Sequence, residues 1–322
     1  MGNIKLENIV YINSATDIYL KRQWDTSHCG PDYARSMGLK YKTLNANMDF
    51  EGFFFIDTIL NEEECLLIEK KIQIYKESIF IFKIIDPYFE YEKEKYFFKT
   101  LFRVAKKPNV LFISNLEPKE TTLELNAYTS FKKMLFLPYP YQHDKEIMVT
   151  YEDFSQRKNQ ICYSGAINPT IYPNRTKFIQ KWYRNPLIWS KVSKLKHPGY
   201  LDKQNKVMHN VTGNYFINYL ASYKIMFCDS SRANLEFVKF GECAYAHCLP
   251  FGEMPSSFDS EMQKYFIQIN YNKFYKNISN IINIPDIDKY EISKNYRLIY
   301  QTHRNKKLLQ SKLLDFINHI IN

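Results

Sequence analysis

Short apolar runs alternate along the chain with longer amphipathic stretches, the rhythm expected of an α/β protein built on parallel strands. In the first half, residues 8–12, 52–56, 79–85, 109–113 and 134–137 read as strands. The clearest helix between them spans 61–76. Asn61 caps it, Glu62, Glu63 and Glu64 suit its first turn, and Leu66, Leu67, Ile68, Ile72 and Ile74 supply its apolar positions. From 138 to 155 the pattern loosens into a connection rich in Pro, Tyr and charge, which divides an N-terminal lobe (1–150) from a C-terminal lobe (151–300). The second lobe opens with a strand at 160–164 and continues through strands at 224–229, 249–251 and 265–269, with helices at 172–183 and 235–246. Residues 292–321 read as helical and basic. The terminal part, 301–322, carries an apolar stripe of Leu308, Leu309, Leu313, Leu314, Ile317 and Ile320 and is expected to pack back on the first lobe.

Composition narrows this picture without changing it. The 322 residues suit two lobes, since a domain usually holds ~100–150. With 45% hydrophobic and 24% charged residues the chain is an ordinary globular one, and its abundance of Ile, Lys and Asn with 9 Gly matches the bias of an AT-rich genome. The net charge of +10 suits anionic ligands such as nucleotide diphosphates, or an acidic membrane surface. Nucleic acid is not expected as a partner, because the basic residues are spread along the chain and no nucleic-acid-binding signature is present. Cys29, Cys65, Cys162, Cys228, Cys243 and Cys248 form neither a CxxC pair nor a disulfide framework, so a reducing cytoplasm is expected. The chain has no signal-peptide pattern and no run of about 20 apolar residues. Membrane contact is therefore expected only as a peripheral one, at the inner face. The sequons at Asn210 and Asn277 are read as chance matches.

The most informative stretch is Ser230 to Phe251. A strand ends at Asp229, a polar turn holds Ser230, Ser231 and Arg232, a helix follows, and the short apolar strand Leu249-Pro250-Phe251 closes the unit. Ligands of open α/β sheets sit outside the carboxyl ends of such strands, where helix N-termini present unpaired N–H groups to phosphate. Glu242 could accept two ribose hydroxyls at once, and Lys239 or Arg232 could neutralise a diphosphate. Upstream, Tyr163-Ser164-Gly165-Ala166 gives a small-residue turn after a strand, where Gly165 admits a phosphate and Arg175 supports the loop or the ligand. His197 lies in a Pro-Gly turn that could meet the same ligand. In the first lobe, residues 24–32 are dense in groups able to take a proton, and Asp25, His28 or Asp32 is the candidate base. His247, Cys243 and Cys248 are read as core residues, and no metal site is expected.

The segment Glu242-Cys243-Ala244-Tyr245-Ala246-His247-Cys248-Leu249-Pro250 resembles the nucleotide-sugar-binding helix of GT-B glycosyltransferases, especially the glycosyl transferases group 1 and the CgeB-like spore-protein branch. Their pattern runs roughly K-x-F-E-A-x-A-x-G-x-L-P, with His247 here in the place of the usual Gly. The resemblance extends over about residues 160–315. It implies two facing Rossmann-like lobes with a C-terminal helical segment. It also implies a nucleotide-sugar as co-substrate with no further cofactor, a carbohydrate or glycolipid acceptor, and a ribose contact at Glu242. Many retaining members carry a second Glu eight residues before the first. That position is Asn234 here, and Glu236 is out of register, so the resemblance implies no stereochemical outcome.

Two alternatives stand beside it. Asp286-Ile287-Asp288 has the Asp-x-Asp form of a metal-dependent GT-A glycosyltransferase, although its place after Pro285 suits a helix cap. Asn234 and His247 would also suit a non-catalytic carbohydrate- or nucleotide-binding protein that keeps a degenerate GT-B fold.

Overall fold

The apolar runs become two parallel sheets, each in its own unit, in a computed structural model that describes residues 4–14, 30–57, 60–84, 96–115, 133–170, 172–196, 211–230 and 234–321. The first unit takes Met1–Pro140 together with Arg304–Asn322, and the second takes Tyr141–His303. In chain order the first unit holds β1 (Ile9–Asn13), α1 (Gly30–Met37), β2 (Lys40–Thr43), β3 (Phe53–Ile56), α2 (Glu62–Ile74), β4 (Ile79–Ile84), α3 (Tyr96–Val104), β5 (Val110–Ser114) and β6 (Met134–Phe136). Its strands lie in the order β2-β1-β3-β4-β5-β6, all parallel. Successive side chains of a strand leave on opposite faces. Phe54, Ile56, Phe80, Phe82 and Phe112 accordingly join one core with α2 and α3, and Phe55, Ile81, Leu111 and Ile113 join another on the far side. Both faces being covered is what allows the strands to be apolar throughout.

The second unit holds α4 (Tyr151–Ser155), β7 (Lys158–Ser164), α5 (Pro173–Tyr183), β8 (Val192–Leu195), α6 (Gly213–Leu220), β9 (Tyr223–Cys228), α7 (Val238–Tyr245), β10 (Leu249–Gly252), α8 (Ser260–Gln263), β11 (Ile267–Gln268), α9 (Phe274–Ile282) and α10 (Asp286–His303). Its strand order is β11-β10-β9-β7-β8, again all parallel. Cys162, Met226 and Cys228 face a core with α6, α7 and α10; Tyr163, Ile225, Phe227 and Phe251 face one with α5 and α9. A last helix, α11 (Lys306–Ile321), returns to the first unit, where Leu309, Leu313 and Ile317 are completely buried beside Tyr33, Ala34 and Met37 of α1.

Several sequence expectations shift. The division falls after Pro140, earlier than residue 150, because Tyr141 packs edge-on to Tyr245 at 5.0 Å and the Ile147 N–H donates to the Tyr245 carbonyl. The C-terminal helical stretch is two helices, broken at Arg304–Asn305, and Leu308 stands 43% exposed outside its apolar stripe. On α2, Leu66 and Ile74 are likewise exposed, while the Asn61 cap forms as a closed box with Glu64. Strands β2 and β8 were not anticipated. Both are sheet edges carrying lysines (KYKT and VSKL), so neither makes an apolar run.

Candidate functional site

In a sheet ordered β8-β7-β9-β10-β11, the chain leaves β7 toward one edge and returns to build β9 on its other side. Loops after β7 and β9 therefore diverge, and the carboxyl ends of these two strands border the crevice where open α/β sheets hold ligands. The residues placed there are Ser164 at the end of β7 and Gly165 after it, and Asp229 and Ser230 after β9.

Two cations converge on Gly165. Arg175 lies in the first turn of α5, and Lys239 in the first turn of α7. A Cβ at Gly165 would stand 2.8 Å from Arg175 Nη1 and 3.3 Å from Lys239 Nζ, at a φ of +104° that side chains rarely adopt. Lys239 Nζ donates to the Ser164 carbonyl at 2.6 Å and to Ser164 Oγ at 2.7 Å. Burial, and then the charge of Arg175, push the Lys239 amine below its ordinary value, with Glu242 and Asp229 opposing. Arg175 is itself buried. Its Nε and Nη2 both approach Asp229 Oδ1 at 2.8 Å, Nη1 donates to the Ala166 carbonyl, and the guanidinium lies 4.0 Å above the Tyr172 ring. Burial alone would lower its pKa, but Asp229, with Tyr172 and Tyr163, raises it. Asp229 is fully buried, and its Oδ2 has no hydrogen-bond partner among the described residues. The buried carboxylate of Asp229 thus acts on both cations, and Glu242 acts on Lys239 as well.

Glu242 lies one turn beyond Lys239 on α7, half-buried, with its charge acting on that lysine. Glu253 follows β10, on the far side of β9 from β7. Burial, and then the charge of Asp229, raise its carboxyl to about 7. Its neighbour Tyr271 donates its hydroxyl to the Asn174 carbonyl at 3.0 Å, and its interaction with Glu253 opposes that rise.

The structure brings together Ser164, Gly165, Arg175, Lys239 and Glu242 of the residues singled out from the sequence. Ser231, Arg232 and His197 lie outside the described residues. Sequence reasoning missed Asp229, Glu253 and Tyr271. Asp229 was readable as the polar residue ending an apolar strand, whereas Glu253 and Tyr271 come near only through the parallel pairing of β10 with β9 and β11. The turn after β9 explains Asn234. Its φ is +51°, a conformation Asn tolerates better than Glu, and its carbonyl accepts from Ser256 N. Glu236 is buried and anchors the loop by accepting from the Tyr300 and Ser257 hydroxyls. His247, Cys243 and Cys248 are buried, and the Cys248 thiol faces the Leu220 and Tyr223 carbonyls.

In the first unit, Asp25 and His28 lie outside the described residues. Asp32 sits in the first turn of α1, 42% exposed and paired with Arg35 at 3.4 Å. Asp57, which follows β3, is a fully buried carboxylate of that unit and accepts from the Tyr11 hydroxyl and from Gly30 N at 2.9 Å. Asp286, the first residue of the Asp-x-Asp stretch, is held by Lys224 at 2.5 Å and Lys289 at 3.5 Å. Both attractions keep its carboxyl below the ordinary range against the opposing pull of desolvation.

Two sheets of this order, with a helical C-terminus, make the chain an α/β protein of GT-B fold. The GT-A alternative is set aside on that ground. HepE of Anabaena, solved with UDP and glucose, superposes with a TM-score of 0.63 at 9% identity, over 97% of this chain and 99% of that one. An alpha-glucosyltransferase solved with UDP-glucose and DNA containing an abasic site gives 0.60 at 10% identity, over 96% and 99%. WaaG, a glycosyltransferase involved in lipopolysaccharide biosynthesis, gives 0.55 at 10% identity, over 96% and 99%. No family model and no curated protein matches the sequence.

Proposed function

We propose that the chain is a glycosyltransferase that moves a sugar from a nucleotide-sugar donor to a hydroxyl of a glycan, lipid-linked or other carbohydrate acceptor. The observation that carries this reading is the convergence of Arg175 and Lys239 on Gly165 at the switch point of the second sheet. A diphosphate laid over Gly165 would meet Lys239 and Ser164 directly, with Arg175 held in place by Asp229. The neighbours solved with UDP and UDP-glucose support a donor of this class. Glu242 then binds the ribose, and Ser231, Arg232 and His197 complete the donor contacts. In the reaction the acceptor oxygen bonds to the anomeric carbon as the bond from that carbon to the phosphate oxygen breaks. The nucleotide leaves with the electron pair, and the acceptor proton passes to a base in the first unit, for which Asp25, His28 and Asp32 are the candidates. The two cations stabilise the charge that gathers on the leaving phosphate, so the reading needs no metal or cofactor besides the co-substrate.

Titration calorimetry against a panel of nucleotides and nucleotide-sugars, with and without chelator, tests this. Glu242→Ala is expected to weaken donor binding by about tenfold, roughly 1.4 kcal/mol. Unchanged affinity in a folded variant removes the ribose contact, and transfer lost to chelator and restored by manganese removes the metal-independent mechanism. A second reading, a binding protein on a degenerate GT-B fold, is favoured by Asn234 in the place of a carboxylate. It predicts nucleotide binding with neither transfer nor donor hydrolysis.

A further inference from the structure

Along the chain the basic residues look dispersed, but the sequence from Phe154 to Leu201 contains no Asp or Glu while it carries nine Lys and Arg. Folding buries Arg175 in the donor site and leaves Arg184, Lys191 and Lys196 exposed at the sheet edge. The segment Pro186–Lys191 is a 3-10 turn between α5 and the edge strand β8; it packs against α5, α9, β7 and β8, none of which contains an acidic residue. The turn splits its apolar side chains. Ile188 points into the core, whereas Leu187 is 85% and Trp189 52% exposed, and Tyr183 beside them is 54% exposed. They form one patch: Trp189 Nε1 donates to the Tyr183 carbonyl at 3.3 Å, and Lys194 Nζ to the Tyr183 hydroxyl at 3.3 Å. Arg184, Lys191 and Lys196 stand exposed around it.

From this juxtaposition we infer that the edge of the second unit formed by Tyr183, Leu187, Trp189 and the surrounding lysines docks on an anionic lipid bilayer surface. A single exposed leucine says little, but an aliphatic side chain flanked by Trp and Tyr and ringed by cations matches the layering of a bilayer interface. There apolar side chains enter the acyl boundary, aromatic rings sit at headgroup level, and Lys and Arg meet lipid phosphate. The C-terminal helix is not available for this role, because its Leu309, Leu313 and Ile317 are consumed by the first unit's core. A nucleic-acid backbone would use the cations and leave Leu187 idle.

The test is co-sedimentation of the whole chain with vesicles of phosphatidylcholine alone, or containing about one-third phosphatidylglycerol, across a salt series. The chain is expected to partition onto the anionic vesicles only, and to be released by salt. Lys191→Glu with Lys196→Glu should lower the partition coefficient by about tenfold or more. Leu187→Ser with Trp189→Ser should lower it with every charge kept, and all four positions are exposed enough for a melting curve to stay as in the parent. Equal binding to neutral vesicles, no binding to either, or both variants binding like the parent overturns the inference. So does tighter binding to a single-stranded oligonucleotide that the charge reversals abolish and the Leu187 and Trp189 pair leaves intact.

Discussion

A methyl group added at Gly165 would press on Arg175 Nη1 and Lys239 Nζ at once, in a backbone conformation that already disfavours any side chain. Gly165→Ala is therefore expected to cost about 1–3 kcal/mol of stability. It should also weaken binding of a nucleotide diphosphate, because the cations move off the position over the strand end. Calorimetric affinity and a melting curve on the same protein check both; an affinity equal to the parent's would mean that the ligand phosphates lie elsewhere. This residue also shows what could be read from the sequence. A glycine after a strand, an arginine and a lysine in helix first turns, and a serine beside them are residue types whose chemistry is local. Asp229 gains its meaning from Arg175, 54 positions away, and Glu253 from burial beside Asp229, so neither could be assigned before the strands were paired.

Helix α7 carries two of the donor-site residues, Lys239 and Glu242, and just beyond its end at Tyr245 comes His247, whose φ of +53° is the left-handed turn that more often takes glycine. The imidazole is buried and stacks on Tyr290 of α10 at 5.2 Å. Burial, then the charges of Arg297 and Arg157, lower its pKa to about 3. The folded value thus lies below the unfolded value of about 6.5, so the folded state binds fewer protons than the unfolded one. Its stabilising contribution is complete above pH 6.5 and is lost as pH falls from there toward 3. By pH 4.5 the loss is on the order of 2–3 kcal/mol. His247→Asn keeps a residue that tolerates the left-handed turn and removes the titration. It is expected to flatten the acid limb of a stability-versus-pH curve while lowering stability at neutral pH through the lost stacking. An acid limb as steep as the parent's would assign the effect to other groups. At this scale the sequence was most legible where strands are apolar on both faces, as in β4, β5 and β9, and least at the lysine-bearing edges β2 and β8, whose pairing is set by the neighbouring strand.

The first unit is assembled from both ends of the chain. Its sheet is built from residues before Pro140, yet the core on one face of that sheet is closed by α11, which follows the whole second unit. The apolar stripe of the last helix was visible in the sequence; which lobe it serves depends on contacts spanning nearly the full chain, such as Gln310 Nε2 with the Met37 carbonyl at 2.8 Å. Closing contacts of such separation carries a larger loop-entropy cost than closing those within the sheet. Leu313 is fully buried in that core, and Leu313→Ala is expected to cost about 2–5 kcal/mol. Because the donor residues Ser164, Arg175, Lys239 and Glu242 all belong to the second unit, the loss should fall on the first unit alone. Hydrogen exchange should rise in β1, β3, β4 and β5 while the protection of β7, β9 and β10, and the affinity for a nucleotide diphosphate, stay as in the parent. Nucleotide affinity falling in step with first-unit protection would show that the donor site draws on the first unit, and the division of labour between the two sheets would have to be redrawn.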